Sequence, residues 1–121
     1  MENSLKIIKE KIFKTIDELY NTYDLPPQNI TDKEWNAFFY VLESHFLANN
    51  IINELEHAIN IVVRHALYYT QTTNAKEFTI EHLKRALSDL SVYSIYSEQV
   101  KVMQDEINSF ANREDDYNYF K

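Results

Sequence analysis

The sequence predicts an all-α protein, a single-domain antiparallel helical bundle of about four helices, and three observations carry that expectation. Its 121 residues include no glycine, so the positive-φ positions of hairpin turns and β-bulges have no natural occupant. The only prolines, Pro26 and Pro27, are adjacent and mark a single linker. Apolar residues recur at helical spacing, most completely from Ile51 to Leu90, where two amphipathic patterns meet across a short polar link. A chain of this length supports one core that buries roughly 65% of its unfolded surface. With 45% hydrophobic and 26% charged residues it is too apolar for intrinsic disorder.

The first helix is expected over residues 3–23, where Leu5, Ile8, Ile12, Ile16, Leu19 and Tyr23 form one face and Lys6, Lys9, Glu10, Lys14 and Asp17 lie outside it. Glu10 and Lys14 make an i,i+4 pair, so the lysines read as a solvated face rather than a nucleic-acid site. Asp24 to Asn29 is the linker, because proline disfavours helix in the residue before it. The next helix, 31–48, has a marked start: Thr31 as N-cap, Glu34 three residues on to complete a capping box, and Ile30 placed to staple onto Trp35. Trp35, Phe38, Phe39, Leu42 and Phe46 then make a bulky apolar face, read as core. With neither glycine nor proline at 49–50 one helix could run from Thr31 to about Thr70, but Asn49 and Asn53 fall where the face would demand apolar residues, which favours a break near 49–50.

A third, central helix is expected over 51–71, with Ile52, Leu55, Ile59, Val62, Val63 and Ala66 broad enough for burial on more than one side. Thr79 is the next N-cap, with Phe78 placed to staple onto Leu83. From there Leu83, Ala86, Leu90, Tyr93, Tyr96, Val100, Met103, Ile107 and Phe110 keep near-heptad spacing and allow one long last helix, 80–112, of about 45–50 Å, bent where Ser88, Ser91, Ser94 and Ser97 recur. Leu87 is also expected in the core. The bundle domain is set at 1–112 and an acidic, then aromatic, tail at 113–121.

Composition narrows function. A net charge of −7 disfavours binding to a phosphate backbone, which needs clustered Lys and Arg. Between Lys33 and Arg64 there is no Lys or Arg, while Glu34, Glu43, Glu54 and Glu56 fall in the interval. That stretch fits a basic protein surface better than nucleic acid. The N-terminal lysines interrupt any signal-type apolar run and no span reaches membrane length, so a cytoplasmic protein without a membrane partner is expected. Heavy use of Asn, Ile, Lys and Tyr fits AT-rich coding, as in low-GC bacteria and phages.

Catalytic chemistry finds no support. Without cysteine there is no thiolate zinc site and no cysteine nucleophile. Glu54 and His57 have the i,i+3 spacing of a di-iron bundle motif, which such bundles use twice; here it occurs once. The Arg-x(4–6)-His pattern of small helical ribonucleases is absent, and phosphate loops need glycine. No enzyme activity, cofactor or metal is therefore expected.

A long amphipathic helix, a polar link, then Thr79 followed by Ile80-Glu81-His82-Leu83-Lys84-Arg85-Ala86-Leu87 resembles the second half of a histone fold. The resemblance covers about a third of the chain. It implies, as an alternative, a histone-fold-like helix pair with extra terminal helices, acting as a heterodimer subunit.

The leading expectation is a non-catalytic protein-binding module, a small acidic accessory protein such as an inhibitor, an immunity or antitoxin-like protein, or a phage or host regulator. Its expected contact residues are Glu34, Glu43, Glu54, Glu56, Tyr93, Tyr96, Tyr117, Tyr119 and Phe120. The rival expectation is a homo-oligomer, self-associating through the tyrosine-serine stripe of the long last helix.

Overall fold

The computed structural model describes residues 4–91 and 97–112. Among them are five α-helices and one two-stranded parallel sheet. The chain runs α1 (Ser4–Thr22), β1 (Gln28–Asn29), α2 (Asp32–Ala48), a single 3₁₀ turn (Ile52–Glu54), α3 (Leu55–Thr72), β2 (Phe78–Thr79), α4 (Ile80–Ser91) and α5 (Ser97–Ala111). The all-α expectation holds. No helix among the described residues is long and apolar enough to cross a membrane.

The long last helix is replaced by two. Lys84 Nζ donates to Asn108 Oδ1 at 2.8 Å, and Gln104 Nε2 donates to the Lys84 carbonyl at 2.7 Å. Residues twenty and more apart cannot meet along one straight helix that rises about 1.5 Å per residue. α5 therefore folds back on α4, and it packs most extensively on α2. There Tyr40 meets Phe110 edge-on at 5.1 Å and Asn49 bonds Gln99, so the two helices run in opposite senses. Apolar periodicity alone does not separate one long helix from two short ones, because both bury the same stripe.

Trp35 sits at the centre of the core, 2% exposed. Its ring stacks on Phe39 at 5.7 Å and meets Phe13 of α1, Phe38 of α2 and Phe78 of β2 near their edges, at 5.2, 6.1 and 6.3 Å. Such pairs contribute about 0.5–1.5 kcal/mol each beyond their buried area. The indole N–H, which burial would otherwise leave unpaired, donates to Gln28 Oε1 at 3.0 Å. Gln28 also begins β1, which pairs with β2 in the register Gln28 with Phe78 and Asn29 with Thr79. The Phe78 N–H closes on the Pro27 carbonyl at 2.9 Å. This small sheet needs no glycine turn, since two whole helices connect its strands.

Most expected core positions are buried, from Leu5, Ile12 and Ile16 to Val100, Met103 and Ile107. Leu19 and Leu90 pack against the core only half-buried. Ala37, Phe39, Val41, Val63, Leu67, Phe78, Ile80 and Ala86 join it.

The helix ends explain how a chain without glycine turns. α2 begins as expected: Thr31 Oγ1 accepts from the Glu34 N–H at 3.1 Å, and Glu34 Oε1 accepts from the Thr31 N–H at 2.9 Å. It ends with Asn50 at φ 60°, the Asn50 N–H on Leu47 O and the Ile51 N–H on Phe46 O. α3 ends the same way, with Asn74 at φ 55°, its N–H on Gln71 O and the Ala75 N–H on Thr70 O. Both are Schellman closures with asparagine in the left-handed position usually held by glycine. The closure at Asn50 and the 3₁₀ turn after it delay α3 to Leu55, later than the spacing of its apolar residues implies. Asn50→Gly and Asn74→Gly are expected to keep or raise stability, while the corresponding alanine changes lower it by about 1 kcal/mol, read from urea midpoints at constant m-value.

Candidate protein-binding surface

The basic-free stretch from Glu34 to Val63 folds into α2, the corner at 49–54 and the first half of α3. At the corner Leu47, Asn49, Asn50, Asn53, Glu54 and His57 are exposed, with Leu47 56% accessible although it is a large apolar side chain. Ile51 and Ile52 lie half-buried beneath them, packed on the core. The result is a tip with an exposed leucine, exposed amides and one exposed carboxylate.

The four expected glutamates do not form one patch. Glu34 is committed to the Thr31 capping box. Glu43 lies nine residues further along the same helix, about half a turn away in azimuth. It is half-buried, and burial pushes its carboxyl above the usual range. Glu56 faces α1 and meets Lys11 at 3.4 Å, both side chains about half exposed, a contact of little energy. Glu54 alone is fully presented at the tip. Tyr93, Tyr96, Tyr117, Tyr119 and Phe120 lie outside the described residues.

Three of the four histidines have structural partners. His45, with an 18% exposed side chain, joins α2 to α5: Nδ1 lies 3.0 Å from Gln99 Oε1 and Nε2 lies 2.5 Å from Glu106 Oε1. Gln99 and Asn49 exchange amide hydrogen bonds at 3.1 and 3.3 Å, which orients the Gln99 oxygen toward the ring. His65 joins α3 to α4 through Asp89 Oδ2 at 3.2 Å, and Arg85 Nε donates to Asp89 Oδ1 at 2.9 Å. Burial pushes the Asp89 carboxyl up, but the hydrogen bonds and charges of Arg85 and His65 outweigh it and hold the group below its ordinary value. His57 is exposed beside Glu54, one turn earlier. No group of three or more His, Asp or Glu side chains among the described residues is placed to hold a metal ion.

His82 is the third partnered histidine. Its Nδ1 accepts from the Thr79 N–H at 3.0 Å and lies 3.2 Å from the Thr79 hydroxyl. The proximity of hydroxyl and imidazole looks like a nucleophile and its base. The lone pair such a base would use is already engaged by a backbone donor, so the geometry is that of a helix start. Near it, Tyr69, Glu81, His82, Lys84, Arg85, Ser88 and Gln104 line an open cleft of about 520 Å³. Its cations are each engaged: Lys84 bonds Glu81 and Asn108, and Arg85, 5.2 Å over the Tyr69 ring, bonds Asp89, which lies outside the cleft lining.

No protein-family model, curated protein sequence or solved structure matches this chain. The exposed leucine was not among the expected contacts. Its signal was present in the sequence, since Leu47 falls beside Phe46 and off the stripe set by Phe39, Leu42 and Phe46.

The glutamates should separate by stability. Glu54→Lys is expected to change the unfolding free energy by less than about 0.5 kcal/mol. Glu34→Lys loses half of the capping box and sets a cation at the positive end of α2, costing about 1 kcal/mol or more, and urea unfolding of the two variants reads the difference.

Proposed function

We propose that this chain is a non-catalytic protein-binding module, a cytoplasmic antiparallel helical bundle that presents the acidic, leucine-bearing tip between α2 and α3 to a basic surface on a partner protein. The reading rests on one observation: the longest stretch without Lys or Arg, from Glu34 to Val63, contains the corner between α2 and α3, at which Glu54 and Leu47 are both exposed. A tip of this kind meets a partner by an apolar anchor inside a charged rim. The anchor contributes affinity, and the carboxylate contributes orientation and association rate. An inhibitor, immunity or antitoxin-like protein, or a phage or host regulator, uses a module in this way.

The rival reading, self-association through the tyrosine-serine stripe, centres on residues 92–96, outside the described residues; on either side of them α4 and α5 pack on each other rather than forming one long helix. The segment that resembles half of a histone fold supports a heterodimer subunit only through its order of helix, link and capped helix, which any such pair shares.

Affinity capture from lysate at low and at high salt tests the proposal. The expected result is a basic protein retained at low salt, released by salt, and retained about tenfold less by Glu54→Lys or Leu47→Asp. Capture unaffected by both changes would exclude the tip as the contact. Light scattering on the isolated chain is expected to give one mass at all concentrations.

A further inference from the structure

α4 does not begin as α2 does. At the third helical position, where α2 carries Glu34, α4 carries His82, and its ring reaches back to the backbone of Thr79 as a capping-box glutamate would. A backbone N–H can only donate. The Nδ1 that accepts it therefore carries a lone pair, which makes His82 a neutral imidazole with its proton on Nε2. We propose that His82 is an acid-sensitive latch: neutral, it holds Thr79 and the start of α4; protonated, it releases them.

Two further features set the direction. His82 lies in the first turn of α4, where the unpaired N–H groups and the helix dipole oppose a positive charge. Its surroundings oppose that charge as well. The ring lies near Phe78 of β2 and Tyr69 of α3, with centroids at 6.3 and 6.0 Å. The ionisable groups of the shared cleft are Tyr69 from α3 and Glu81, Lys84 and Arg85 from α4, while α5 contributes the uncharged Gln104. Burial lowers the His82 pKa from its ordinary value, and the neighbouring charge of Glu81 offsets only part of that.

The sign follows. Above the ordinary imidazole value His82 is neutral whether the chain is folded or unfolded, and the latch is intact. As pH falls below that value the unfolded chain takes up a proton that the folded one resists, so the contribution of the latch is lost with acid. What loosens is defined by position. Thr79 pairs with Asn29, and Phe78, fully buried, carries β2 into the Trp35 cluster.

The test uses the full chain labelled with ¹⁵N. Protection of the Thr79 amide against hydrogen exchange, corrected for intrinsic rates, is expected to fall about fivefold from about pH 7.5 to about pH 5, the size of an N-cap contact. His82→Gln, whose side-chain oxygen restores a capping box that cannot titrate, is expected to keep that protection across the same range. His57→Gln, a change at an exposed histidine, is expected to behave as the parent chain. Ring ¹⁵N shifts of the unmutated protein give an independent readout, with Nδ1 expected to be unprotonated at neutral pH. The proposal is overturned if Nδ1 carries the proton there, if Thr79 protection is indifferent to acid, or if His82→Gln loses protection to the same extent.

Discussion

The indole of Trp35 is where the separate parts of this chain are made to agree. One ring touches α1 through Phe13, its own helix through Phe38 and Phe39, and β2 through Phe78, while its N–H fixes Gln28 at the start of β1. A buried indole needs both apolar neighbours and one acceptor, and the linker after Pro27 supplies the acceptor. The path of residues 26–29, with the Tyr20 hydroxyl closing on the Pro26 carbonyl at 2.6 Å, follows from that demand. So does the pairing of β1 with β2, strands fifty residues apart that carry almost no pattern of their own.

Around that centre the helix pairs are tied by polar contacts rather than by apolar packing alone. His45 with Glu106 and Gln99 joins α2 to α5, and His65 with Asp89 joins α3 to α4. Each tie is partly exposed and modest in energy, but each requires a particular residue opposite it. Such contacts specify which helices lie side by side where apolar stripes would accept several partners. The same polarity gives His45, His65 and His82 structural partners, while His57 at the α2–α3 tip stays exposed, as does Leu47, one of the large apolar side chains the fold leaves accessible along with Tyr23, Tyr68 and others.

Much of the fold was legible in the sequence because its signals are local. The Thr31–Glu34 box, the core face from Trp35 to Phe46 and the stop at Asn49–Asn50 depend on neighbours within a few residues, and all are present. The candidate surface was less legible. Four glutamates in one basic-free stretch look like one patch, yet Glu34 closes a cap, Glu56 turns to Lys11 and Glu43 is half-buried, leaving Glu54 as the exposed one, at the same corner as the exposed Leu47. Linear charge density does not report azimuth, and azimuth decides what a partner meets.

By itself, then, the sequence determined that the chain is helical, where α2 starts, and most of what is buried, because helix periodicity and capping act over single turns; it only favoured a stop at Asn49–Asn50, which the left-handed Asn50 makes definite. Only the tertiary structure decided that the last apolar stripe is two helices folded on each other, that residues 28–29 and 78–79 form a parallel pair, and that His82 closes the start of α4. Each of these joins groups through space by a contact that leaves no period in the sequence. The His82 contact is the instructive case: it spans three residues, yet it reads as a cap only once the ring is seen turned back onto the Thr79 backbone.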